Sequence, residues 1–192
     1  ATLSFPSVTM ITNRGSSVLQ SSGSGSSISL PSVTQIGNDG NAQRRLVVEA
    51  LNGGSVDLRG LVGITDPASG DLRARTVEIT ADGVNSRVDL SSLVSFQDAS
   101  SGSDWGWPGM SSLTVANYGT IVTPKLESLS SVSFSHGAGT LDTSRVKSLT
   151  SGQITIGVDG VGYPSLVDFS GSSIASSRSQ TFPQVTNLDG AS

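Results

Sequence analysis

Ile28-Ser29-Leu30-Pro31-Ser32-Val33-Thr34-Gln35-Ile36 is the stretch whose reading decides the fold. Ile28 and Leu30 alternate, a Pro-Ser pair follows, and Val33 and Ile36 stand three apart. The pattern recurs, with first anchors at Leu3, Ile28, Val56, Val88, Ile121, Leu141, Val161 and Gln180. Five residues on, every copy has its third anchor: Val8, Val33, Leu61, Leu93, Leu126, Val146, Leu166 and Val185. Fourth anchors follow after three more, from Ile11 and Ile36 to Phe169 and Leu188. Fixed spacing with variable residues between is what stacked coils require, because no single coil can bury its apolar face alone. The expected fold is all-β: one β-solenoid domain over residues 1–192, with about seven to eight coils.

A third apolar segment follows each corner: Val18, Leu46/Val48, Val77/Ile79, Leu113/Val115, Val132/Phe134, Ile154/Ile156 and Ile174. These segments have the two-residue period of strands. Turns at Asn52-Gly53-Gly54, Asp82-Gly83 and Asp159-Gly160 then start the next coil. Coil length varies at one corner only. From Ile11, Ile36, Ile64 and Phe96 the gap to the third segment is 7, 10, 13 and 17 residues; from Leu129, Leu149 and Phe169 it is 3, 5 and 5. Insertions at one corner project from one face. The longest, 97–112, carries both tryptophans.

Charged residues make up 14% of the chain and the net charge is −4, with no Lys/Arg-rich run. Nucleic acid is therefore not an expected partner. No apolar run is long enough for a helix to span a bilayer, so membrane insertion is not expected. Cysteine is absent, which removes disulfides and thiolate chemistry. Both ends run directly into the repeat pattern, which reads as a fragment of a longer protein whose open coil ends invite end-to-end self-association.

The segments Leu30-Pro31-Ser32-Val33-Thr34-Gln35-Ile36-Gly37 and Phe5-Pro6-Ser7-Val8-Thr9-Met10-Ile11 resemble the repeats of receptor L domains and the leucine-rich repeats of bacterial surface antigens. Val88-Asp89-Leu90-Ser91-Ser92-Leu93-Val94-Ser95-Phe96 is similar to repeats of large exported bacterial proteins. The resemblance implies a right-handed solenoid of parallel sheets in a secreted or cell-surface setting, and it carries over no catalytic residue. The long, irregular first four coils depart from a leucine-rich horseshoe and favour a right-handed parallel β-helix.

Among candidate sites, the long loop fits carbohydrate best. An indole stacks on a sugar's apolar face while carboxylates accept its hydroxyl protons. Trp105 and Trp107, with Asp104, Asp98 and Tyr118 nearby in sequence, form the candidate ligand-binding set, and Pro108 stiffens the loop. The expected function is a non-catalytic rigid scaffold recognising a polysaccharide or cell-surface glycan, with a purely structural stalk as the alternative. A lyase or hydrolase would need clustered carboxylates. Asp57 and Asp89 share one repeat position, with Arg59 and Arg87 close by, and a charge-balanced outer face explains them as well. His136 has no second histidine and reads as a surface turn residue. Gly37-Asn38-Asp39-Gly40-Asn41 and Asp98 with Asp104 match no calcium motif, and no cofactor is expected. Thr76, Thr114 and Thr155 are too scattered for an ice-binding array, being out of register with one another.

Overall fold

The computed structural model describes residues 1–99 and 109–192. Its strands form three parallel sheets, and each of the first six coils contributes one strand to each sheet in turn. The first sheet is β1 (Thr2–Ser4), β4 (Ser27–Ser29), β7 (Ser55–Asp57), β10 (Arg87–Asp89), β13 (Gly119–Val122) and β16 (Gly139–Leu141). The second is β2 (Met10–Asn13), β5 (Gln35–Asn38), β8 (Gly63–Asp66), β11 (Ser95–Asp98), β14 (Ser128–Ser130) and β17 (Ser148–Thr150). The third is β3 (Ser16–Ser22), β6 (Arg45–Leu51), β9 (Thr76–Asp82), β12 (Ser111–Ala116), β15 (Val132–His136), β18 (Gln153–Ile156) and β19 (Ser173–Ser176). This is a parallel β-solenoid.

The anchors of the first six copies stack as their spacing predicts, whereas Val161 and Gln180, the first anchors of the last two, lie in no strand of the first sheet. Leu3, Ile28, Val56, Val88, Ile121 and Leu141 pair in one row. Ile11, Ile36, Ile64, Phe96, Leu129 and Leu149 pair in another. The constant step between the second and third anchors has a local cause. In every copy the third-anchor N–H donates to the second-anchor carbonyl, as Val33 does to Leu30 at 3.2 Å and Leu61 to Leu58 at 2.9 Å. That is a β-turn, and Pro6, Pro31, Pro124, Pro164 and Pro183 occupy its second position, where φ near −65° is already set. The turn places both anchors in the core.

The third sheet departs from the expected register in two places. In β3 the inward residues are Ser17, Leu19 and Ser21; Val18 pairs with Val47 on the outer face and is 59% exposed. Leu113 lies over Ile79 rather than Val77, so the inward row runs Leu19, Val48, Ile79, Leu113, Phe134, Ile154, Ile174. The next inward row runs Ser21, Ala50, Ala81, Val115, His136, Ile156. His136 is therefore a core residue, 3% exposed, and not a surface turn residue. Thr114 and Thr155 likewise share one outer row with Ser135 between them, contrary to the expected scatter; only Thr76 stands outside it and is buried.

The candidate recognition corner

The second and third sheets meet at the corner where the coils lengthen. Residues 14–15, 39–44, 67–75 and 99–110 connect them in the first four coils, and single or paired residues do so afterwards. Beneath the long connections lies a feature that the apolar pattern alone does not reveal. Two residues past the fourth anchors Ile11, Ile36, Ile64 and Phe96 stand Asn13, Asn38, Asp66 and Asp98, all buried. The Asn13 amide donates to Asn38 Oδ1 at 2.9 Å, and the Asn38 amide donates to Asp66 Oδ1 at 3.0 Å. Asp98 stacks in register on Asp66, and its Oδ2 accepts the Ser111 N–H at 2.8 Å. Strand stacking of about 4.8 Å per coil brings equivalent side chains within bonding reach, so the polar residues form one ladder along the axis.

Charge balance within this ladder depends on the 67–75 connection. Arg75 is fully buried beside Asp66, with Nε 3.4 Å from Oδ2. Its guanidinium also donates to the carbonyls of Ser69, at 2.9 Å, and Pro67. One side chain thus neutralises a buried carboxylate and ties down the loop that delivers it. Asp39 does a similar job in the shorter loop above. It accepts from Arg44 Nε at 2.9 Å and from the Asn41 N–H at 3.0 Å, and these contacts hold its carboxyl down at about 2. In the 37–41 stretch Asn38 Oδ1 and Asp39 Oδ1 are thereby engaged in ladder and turn bonds. In the short coils the ladder position is Ser131, Ser151 or Gly171, each with positive φ, and the chain turns straight into the third sheet.

The proposed binding residues fall in three places. Asp104, Trp105, Trp107 and Pro108 lie outside the described residues. Asp98 is at the foot of the same loop, but it faces the ladder and fastens Ser111 rather than facing solvent. Tyr118 is 71% exposed and lies at the far end of β12 from Gly109, about 20 Å away for six residues of strand. It belongs to the turn between the third and first sheets, where Asn117 and Tyr118 both have positive φ. The structure therefore separates Tyr118 from the foot of the loop.

Comparison with family models, curated proteins and solved structures returns no match. The chemistry must therefore be read from the residues themselves.

Asp57 and Asp89 do pair across neighbouring coils, as their repeat position predicts. Each carries its own arginine: Arg59 reaches Asp57 at 2.6 Å and Arg87 reaches Asp89 at 2.9 Å. The Arg59 hydrogen bonds hold the Asp57 carboxyl below the usual carboxylate range. A glycosidase acid requires the opposite shift, a carboxyl kept protonated near neutrality. The pair fits a charge-balanced outer face.

Proposed function

We propose that this chain is a non-catalytic recognition module of a secreted or cell-surface protein, binding a polysaccharide across its long-loop corner. The observation that carries the reading is where the buried polar ladder occurs. Asn38, Asp66 and Asp98 lie under the long connections 39–44, 67–75 and 99–110, with Asn13 as the end rung above them, and Ser or Gly takes the position in the later coils. Burying amides and charges costs stability unless every group is matched. Loops that had merely drifted in length would place no such requirement on the core beneath them. The ladder is instead suited to fixing the two ends of each long connection, which lowers the ordering cost of binding. Asp104, Trp105 and Trp107 would then supply the stacking faces and an acceptor.

The test is a polysaccharide panel read by tryptophan fluorescence, with the intact chain beside Trp105→Ala/Trp107→Ala. Saturable binding by the first, lost in the second at unchanged Tm, is the expected result. Absence of binding throughout, with a lowered Tm in the double variant, would leave the tryptophans as cover for the core and the solenoid as a stalk. New reducing ends or unsaturated products from any polysaccharide would overturn the non-catalytic assignment.

A further inference from the structure

The three sheets do not end together. The third continues through β18 to β19, and isolated bridges carry the second from Ser148 to Asp168 and Asn187. The first stops at β16, although two more corner turns follow it, at Tyr163–Leu166 and Phe182–Val185. Residues 157–162, where its next strand would lie, are not extended into the sheet. They leave a groove of about 410 Å³ along β16. Thr140, Leu141 and Asp142 form one bank; Asp159, Val161 and Pro164 form the other, and His136 reaches its floor. At Gly160 and Gly162 a Cβ would meet nothing within 4 Å, and this bank is tied to the body where the Thr143 hydroxyl donates to the Gly162 carbonyl at 2.6 Å.

We propose that this groove accepts a short extended peptide with basic flanking side chains, added as a strand to the outer edge of β16. An unpaired strand edge offers alternating N–H and C=O groups, which another main chain satisfies while its side chains select the site. The volume lies in the range of ligand clefts. β16 is three residues long, which limits the core of the match to about 10 Å of peptide. Charge argues for a basic partner. Asp142 and Asp159 both line the groove, the chain carries −4 overall, and Arg178 stands 3.7 Å from an Asp159 that is itself largely exposed. Asp142 keeps one oxygen on the Ser144 N–H, which holds its carboxylate at the rim. This surface lies away from the long-loop corner, so the inference stands or falls independently of polysaccharide binding.

The experiment is an NMR titration of the isotope-labelled full chain with the acetylated, amidated peptide Lys-Val-Thr-Val-Lys. Two controls accompany it: the same peptide N-methylated at its central residues, and a Glu-flanked analogue. The expected result is saturable shifts confined to the amides of residues 139–142 and 158–162. Affinity should fall at least tenfold with the N-methylated peptide and with the Glu flanks, and about threefold in Asp142→Asn. No saturable shift at millimolar peptide would overturn the proposal. Equal binding of the N-methylated peptide would exclude strand addition, and shifts gathered on β1, β2 and β3 would assign the peptide to the open end of the solenoid instead.

Discussion

At the scale of single residues, the core histidine has the clearest consequence. His136 Nε2 and the Tyr163 hydroxyl are hydrogen-bonded at 2.7 Å, and both groups are buried. The imidazole packs between the rings of Phe134 and Tyr163 with centroids 5.8 and 5.7 Å away. Burial pushes its pKa down from 6.5 to about 4 and pushes the Tyr163 phenol up, so both stay neutral at ordinary pH. The unfolded chain protonates this imidazole near pH 6.5 and the folded chain resists until about 4. Unfolding is therefore favoured as pH falls through that window, by up to about 3 kcal/mol below it. His136→Gln keeps a polar partner for Tyr163 without the titration. Its stability, measured in urea between pH 7 and 4, should decline less than that of the parent by about that amount. Parallel declines would mean that the imidazole is not held neutral.

At the scale of elements, two devices build each coil, and they were not equally legible. The anchor spacing was legible because a β-turn of constant length fixes it, with Pro31 and Pro183 marking its second position. The ladder is not legible in the apolar pattern, because Asn38 and Asp66 look like loop residues when only apolar positions are counted. Their constant offset of two from Ile36 and Ile64 was the available signal, since alternation puts i and i+2 on one face. The same rule applied to Phe134 would have turned His136 inward. Val18 misled for the opposite reason: an apolar residue in the first coil, where little covers either face, says nothing about which way it points. The exposed and buried ion pairs also differ in what they contribute. Arg45–Glu78 lies on an outer face, and Arg45→Met should cost no more than about 1 kcal/mol. Arg75→Met strands a buried Asp66 and should cost about 3–5 kcal/mol. Urea midpoints for the two variants give the comparison, and equal losses would show that the corner relaxes around the missing guanidinium. The glycine turns add a steric constraint of their own. A Cβ at Gly119 would run into the Ala81 carbonyl of the layer beside it, which is why β13 begins with that residue.

Across the whole molecule, each coil is held by the one above and the one below, so stability should vary along the axis rather than be shared evenly. Burial already follows that course. Leu3 is 57% exposed, whereas Leu58, Leu61, Leu90 and Leu93 are fully buried in the middle coils. At one end β1, β2 and β3 each present an unpaired edge over the partly covered Phe5, Val8 and Ile11. At the other, Phe182, Val185 and Leu188 border an apolar cleft of about 230 Å³ beyond the last paired strands. Hydrogen exchange should therefore be slowest in β7 and β10, where amides open only with global unfolding, and faster by orders of magnitude in β1, β2 and β19. Protein concentration separates fraying from end-to-end association. Open edges that pair with a second copy would slow exchange in β1 to β3 as concentration rises and leave β10 unchanged. A Leu3→Lys/Phe5→Lys variant should remove that dependence, because charges at an open end oppose stacking. Uniform protection along the chain at every concentration would contradict nearest-neighbour stability and require coupling that spans the whole solenoid, which coil-on-coil contacts alone do not supply.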